Sequence, residues 1–391
     1  MYSFHRSLLV AIVVFLPLTA DAQIQELGSE GTLDIATWNI EWFGSSSNGP
    51  SNDDIQVQNV ADIIMGSGVD IWAVQEIVDV NRAMELDSML PDYWESILAS
   101  ESGQQRIGFM WDSRVLQLRQ STHILQSFNY EFAGRPPLKA EFNVTLPDTS
   151  FVATFITVHM KAFSDQTSYE RRVEAAKRVK NHIDFTSLSS QPVFFLGDFN
   201  DELTASTYNR QPSPYVPFLD DTDDYAVLTW PLEQDGGYSF QSGSFLDHIV
   251  VSNEANEMWL QGSTQVMTNL VTVNSFYART SDHLPVMASF GNVVGTGIQE
   301  EDVFPVEPII TSLYPNPVSG TLNVSINERF AGIGADKTSV VSLVDMLGRV
   351  VYSEVLFEGD IEIDVTPYAA GVYALRVESG DSFESDVLVI R

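Results

Sequence analysis

The stretch PVFFLGDFN, residues 192–200, decides how the larger part of this chain is read. An apolar run short enough for a buried strand ends in a glycine, a carboxylate and an amide. The same design recurs along the chain. Asn39 and Glu41 follow ATW, Glu76 follows IWAVQ, and His159 follows FITV. Asp198 and Asn200 follow FFLG, Asp247 and His248 follow SFL, and Asp282 and His283 precede LPV. One polar strand end is ordinary, because strand ends commonly face water. Six of them, on strands of adjacent sheets, can converge on one cleft lined by carboxylates, amides and imidazoles.

The segments around these tips alternate in period. TLDIATWNIEWF reads as a strand, DDIQVQNVADIIMGSG as a helix capped by Asp53 or Asp54 and stopped by glycine, and DIWAVQEIV as another strand. Long β-rich stretches cover 106–125 and 139–160. The helix SYERRVEAAKRVKNHI follows, with Val173, Ala176, Val179 and Ile183 on one face. Many strands with few helices predict sheets packed together with helices outside. From Gly291 to Pro308, GNVVGTGIQEEDVFPVEP lacks either period and reads as a linker. Beyond it, short apolar runs separated by Gly, Asn, Asp and Pro turns predict a small all-β sandwich. The expected domains are a signal peptide at 1–22, an α/β domain at 31–291, a linker at 292–308 and a β-sandwich at 309–391.

At 391 residues with 44% apolar content, two globular domains are expected. Arg6, an apolar core over residues 8–18 and then Ala20-Asp21-Ala22 form the pattern of a secretory signal cleaved after Ala22. No later segment is apolar for long enough to predict a membrane-spanning helix. With no cysteine, any metal site must use oxygen or nitrogen ligands. A net charge of -33 opposes nonspecific binding to polyanions, and opposes it least where salt or bound cations screen the surface.

The converging residue types suit transfer of a phosphoryl group to water. That reaction needs a Lewis acid on a nonbridging oxygen, an oriented water, and donors for the growing negative charge. Oxygen ligands from Asn, Glu and Asp suit Mg2+ or Mn2+, with Ca2+ as a structural ion. TWNIEW, VQEI, TVHMKA, GDFND, LDHIVVS and SDHLPV, in that order, resemble the signature of the endonuclease/exonuclease/phosphatase superfamily (deoxyribonuclease I-like) over about residues 31–291. The resemblance implies a four-layer α/β sandwich and a metal-dependent phosphoesterase. It further implies that Asn39 and Glu76 hold the cation, with Asp282 as a direct or water-mediated ligand. His283 would be the catalytic histidine, oriented by Asp247. Asp198 would align or deprotonate the attacking water, and Asn200 and His159 would donate to the phosphoryl oxygens. Either Asp198 or His283 could be the base.

Other candidates carry two readings. GRPPLKAEF resembles a segment that supplies an arginine to substrate phosphate, which nominates Arg135; a Pro-stiffened surface turn fits as well. Arg106, in QQRIGFMW, is a similar substrate-binding candidate. Arg171, Arg172, Lys177, Arg178 and Lys180 read first as a solvated helix face. Glu41 could serve a second metal. Strand alternation turns His248 away from the site. The acid cluster LDDTDDY reads as a solvated loop rather than a calcium site.

In the C-terminal part, SLYPNPVSGTLNV, VSLVDMLGRVV and YAAGVYALRVESG resemble the type A sorting domain of the type IX secretion system, over 312–391. Composition alone also fits a substrate-binding β-sandwich. The resemblance implies passage through the type IX secretion machinery to the surface or surroundings of a Gram-negative bacterium. Together these readings predict an exported nuclease acting on extracellular DNA or RNA. The alternatives are a phosphatase or sphingomyelinase-like phospholipid phosphodiesterase of the same fold, and a non-catalytic surface adhesin.

Overall fold

The computed structural model describes residues 24–100, 105–291, 310–326, 339–345, 349–356, 360–379 and 382–391. The expected signal peptide and linker lie outside the described residues. The chain begins one sheet with β1 (Leu33–Phe43), β2 (Ile71–Ile77), β3 (Trp94–Leu98) and β4 (Arg106–Asp112). A second sheet takes β5 (Leu116–His123), β6 (Leu138–Leu146), β7 (Thr149–His159), β8 (Val193–Asp198), β9 (Tyr225–Val227) and β10 (Asp247–Ser252). The chain then returns to the first sheet with β11 (Gln265–Val266) and β12 (Val286–Phe290). The strand orders are β11-β12-β1-β2-β4-β3 and β5-β6-β7-β8-β10-β9. Each sheet contains one parallel pair, β1 with β2 and β7 with β8.

The sheets pack face to face. Leu33, Ile35, Phe109 and Trp111 of the first meet Phe142, Phe155, Phe194 and Ile249 of the second. Helix α1 (Asp53–Ser67) covers the outer face of the first sheet against Trp38 and Trp72. Past the short helix α2 (Val80–Met89), helix α3 (Gln166–Asp184) covers the second against Ile156 and Phe195. This is the expected four-layer order of helix, sheet, sheet and helix. Strands buried on both faces need apolar residues at nearly every position, which is why β1 and β8 lack strict alternation.

Two local expectations change, and one helix was not expected. The N-cap of α1 is Asn52, whose Oδ1 accepts from Ile55 N at 3.1 Å, so Asp53 and Asp54 fall in the first turn. There they favour the positive end of the helix dipole. Helix α2, over Val80–Met89, had no counterpart in the sequence reading. On α3 the buried stripe runs through Arg172 and Ala175 as well as Ala176, Val179 and Ile183, and Val173 is only half-buried.

Gly197 has a steric reason for its place. A Cβ there would lie 2.2 Å from Val158 O on the paired strand β7. Any larger residue would part β7 from β8 just below the polar tips.

Among the described residues the C-terminal part is all-β, as expected, with two small sheets. One joins β13 (Ile310–Tyr314), β14 (Thr321–Ile326) and, later in the chain, a strand at Asp360–Asp364. The other orders strands Val350–Leu356, Ser339–Asp345, Gly371–Ser379 and Ser382–Ile390. Leu322, Val324, Val341, Leu343, Leu375 and Leu388 form the core between them.

Candidate active site

Strand register gathers the polar tips. His159 on β7 pairs with Asp198 on β8, and Asp198 pairs with Asp247 on β10, so three side chains stand in a row on one face. Across the sandwich, Asn39 on β1 pairs with Gln75 on β2. Alternation along β1 sends Ile35 and Asn39 inward between the sheets and Ala36 and Trp38 outward to α1. The same alternation would turn Glu76 outward. Instead Glu76 adopts φ 64, and the register with β4 shifts between Val74 and Ile77. Its carboxylate then accepts from Asn39 Nδ2 at 3.2 Å and from Trp42 N at 2.8 Å. Trp42 (φ 47) and Asn200 (φ 52) are also left-handed. Backbone of this kind persists only where surrounding contacts over-determine it, and here it aims side chains into one cleft.

Asp198 is the hub. It accepts from Asn39 Nδ2 at 2.9 Å, from Asn200 N at 2.9 Å and from Asn200 Nδ2 at 3.0 Å. His159 Nε2 stands 3.5 Å from Asp198 and 3.7 Å from Glu76. The SDHLPV segment enters from the other sheet. His283 Nδ1 lies 2.7 Å from Asp247 Oδ2, which also accepts from Ser239 Oγ at 2.7 Å. Ser281 Oγ donates to Asn39 O at 2.6 Å and accepts from His283 N at 3.0 Å, while Trp38 Nε1 donates to His283 O at 3.0 Å. The histidine is thereby locked to the strand that bears Asn39.

These neighbours set the charges. Burial pushes the His283 imidazole down, but the Asp247 carboxylate, as charge and acceptor, together with Asp198 and Asp282 lifts it to about 10. Burial raises Asp198, against the opposing pull of His283. Burial, and then Asp282 and Glu76, raise Glu41 to about 7; burial also raises Asp282, with His283 opposing and Glu76 adding. His159 is driven well below its ordinary range by burial and then by Arg135 and His283, so it is neutral.

The donor set fits a divalent cation. With Nδ2 of Asn39 directed at two carboxylates, its Oδ1 is buried with no partner. Glu41, Glu76 and Asp282 crowd close enough to repel one another. A hard cation would satisfy the orphaned amide oxygen and relieve that repulsion. Ligand atoms of Asp198, Asp247 and His283 also lie within 4.8 Å of one another, and such a buried acid and imidazole group can hold a metal. There, however, His283 Nδ1 already bonds Asp247, an arrangement better suited to fixing a proton.

Asn39, Glu76, His159, Asp198, Asn200, Asp247, Asp282 and His283 thus share one cleft, with Glu41 beside them. Arg135 stands at its edge. Its guanidinium donates to His159 O at 3.2 Å, Met160 O at 3.1 Å and Gln105 Oε1 at 2.7 Å. Arg106 is not brought into the cluster; it donates to Val78 O at 2.8 Å. His248 faces away, buried between Thr229 Oγ1 and Asp201 O, as alternation requires. The reading of 171–180 as a solvated face fails at Arg172, which is wholly buried with Nε 2.9 Å from Asp201 Oδ2. Sequence reasoning passed over Ser239 and Ser281, in loops, and Gln75, within β2, because serine and glutamine at such places carry no distinguishing signal. Gln75 Nε2 bridges the sheets to Thr157 Oγ1 at 3.1 Å, below the cleft. A concavity of about 980 Å³ lies at the opposite pole beside Asp70, Asp112 and Arg114 and contains none of these groups.

A four-layer sandwich with an acid, amide and imidazole cleft at one end of its central strands defines a class of hydrolase folds that act on phosphoric esters. The model of the Endonuclease/Exonuclease/phosphatase family matches residues 36–283, and the chain belongs to that family. The Secretion system C-terminal sorting domain matches residues 312–391, which implies export by the type IX secretion system. Solved structures share the fold. The endonuclease/exonuclease/phosphatase from Beutenbergia cavernae DSM 12333 is 14% identical with a TM-score of 0.50, covering 92% of this chain and 100% of that one. The Bacteroides vulgatus endonuclease/exonuclease/phosphatase is 17% identical with a TM-score of 0.50, over 66% and 98%. D. rerio TDP2 humanized by 14 mutations is 16% identical with a TM-score of 0.50, over 66% and 99%. No curated protein matches the chain.

Proposed function

We propose that this protein is an exported, divalent-metal-dependent phosphodiesterase whose substrate is nucleic acid. The observation that carries the reading is the cleft itself: a hard-oxygen set of Asn39 Oδ1, Glu76, Asp282 and Glu41 beside the Asp247–His283 pair and Asp198. Asn39, Glu76 and Asp282 would hold Mg2+ or Mn2+, which when bound supplies Lewis-acid stabilisation of phosphoryl charge. Asp198, held by Asn39 and Asn200, accepts a proton from the attacking water at its carboxylate. His283, with Nδ1 committed to Asp247, presents Nε2–H as a donor to the phosphoryl or leaving oxygen. Neutral His159 and the Asn200 amide add uncharged donors.

The cationic edge around Arg135 supports a polyanionic substrate, while the net charge of -33 favours the second reading, a phosphatase or lipid phosphodiesterase. Plasmid DNA, RNA, phosphate monoesters and sphingomyelin, each incubated with purified protein and metal, separate the two. Cleavage of a polymer supports the nuclease. Release of phosphate or phosphocholine with both polymers intact would replace it with the second reading.

A further inference from the structure

We infer that the loop after β7 is a stacking platform for an unpaired nucleobase next to the scissile phosphate, with Phe163 as its aromatic face and Lys161 as its cation. This rests on the nuclease reading and narrows its substrate to single strands. Phe163 lies four positions beyond His159 and is 74% exposed, the most exposed large apolar side chain among the described residues. Its loop is nonetheless pinned. The buried guanidinium of Arg172 donates through Nη1 to Lys161 O at 2.7 Å and to Phe163 O at 2.8 Å, and through Nε to Asp201. Those bonds hold Phe163 at φ 80, a conformation that bulky residues rarely adopt. An exposed ring gains almost nothing from burial, so the fold's own stability gives no reason to fix one in a strained conformation.

The surroundings indicate what the ring receives. Lys161 Nζ lies over one face, 4.3 Å from the ring centroid, and the exposure leaves the other face open. Tyr130, 63% exposed, repeats the arrangement with the Arg171 guanidinium 4.3 Å from its centroid. Arg135 ties this rim to the site through His159 O and Met160 O. In a chain of net charge -33, cations interleaved with exposed aromatics at the edge of the cleft complement a phosphate backbone carrying π-faced bases. A duplex keeps its base faces stacked inside, and a lipid or sugar ester has none to offer.

The test compares kcat/KM on three short oligonucleotides: a single strand, its duplex, and the strand with abasic residues flanking the scissile phosphate. Wild type is expected to prefer the single strand over both others. Phe163→Ala should lower kcat/KM on the single strand about 5- to 150-fold, the range of base–aromatic stacking, and collapse the preference over the abasic strand. Phe163→Tyr should restore it. A Phe163→Ala enzyme that keeps the wild-type preference would overturn the platform alone. A wild-type enzyme that cleaves no oligonucleotide would overturn the nuclease reading and the platform with it.

Discussion

His283 shows how much of the site turns on single hydrogen bonds. The acid next to it in sequence, Asp282, is not its partner; Asp247, from a strand of the other sheet, is. Replacing Asp247 with Asn leaves the shape but removes the charge that keeps the imidazole protonated and oriented. Loss of a positioned proton donor typically costs 10²–10⁴-fold, so Asp247→Asn should lower kcat by about that much with KM little changed. Steady-state kinetics on any cleaved substrate, with circular dichroism to confirm folding, measures this. The histidine and its partner were legible in sequence through the resemblance of LDHIVVS and SDHLPV to the family's motifs, which implied the pairing. Ser239 and Ser281 were not: the hydroxyls that fix Asp247 and His283 become visible only once loops from distant positions meet.

Elements carry the stability that holds the cleft open. Arg172 joins α3 to the loop after β7 and to Asp201 with no access to water. Removing one partner of a buried ion pair typically costs about 3–5 kcal/mol, and urea unfolding of Arg172→Met should show a loss of that order. The basic residues of α3 looked like a solvated face because charge predicts exposure unless a partner waits, and Asp201 lies 29 positions away. At the opposite pole, burial and then the nearby charges of Asp34 and Asp112 raise Asp70 to about 8, although the Asp34 backbone N–H opposes the shift. A carboxyl with a raised folded-state pKa adds stability that is complete below its unfolded value and is lost as pH rises to about 8. Asp70→Asn keeps an acceptor for Asp34 N without that loss. Its melting temperature should exceed wild type by more at pH 9 than at pH 5, as thermal melts over that range would show. The individual strands and their packing as sheets with helices outside were legible because two-sided burial writes apolar runs into sequence, whereas the strand order was not. The turn at Glu76 was not, since a positive φ at glutamate has no compositional mark.

For the whole molecule, the proposed catalysis on nucleic acid would work against a charge of -33. Raising ionic strength from about 10 mM to about 150 mM shortens the screening length, so kcat/KM on DNA should rise over that interval, whereas a basic nuclease would lose affinity. None of the cleft residues comes from the described part of the C-terminal sandwich, consistent with a sorting role separate from chemistry. On the proposed function, the cleft hydrolyses phosphodiesters only with a divalent cation held by Asn39, Glu76 and Asp282. The most direct test of that claim is cleavage of a single-stranded oligonucleotide by chelator-treated protein during titration with Mg2+ or Mn2+, wild type beside Glu76→Gln. No cleavage before metal, recovery on titration, and a higher metal requirement in Glu76→Gln are expected. Full cleavage in excess chelator, or identical metal dependence in the two proteins, would contradict it.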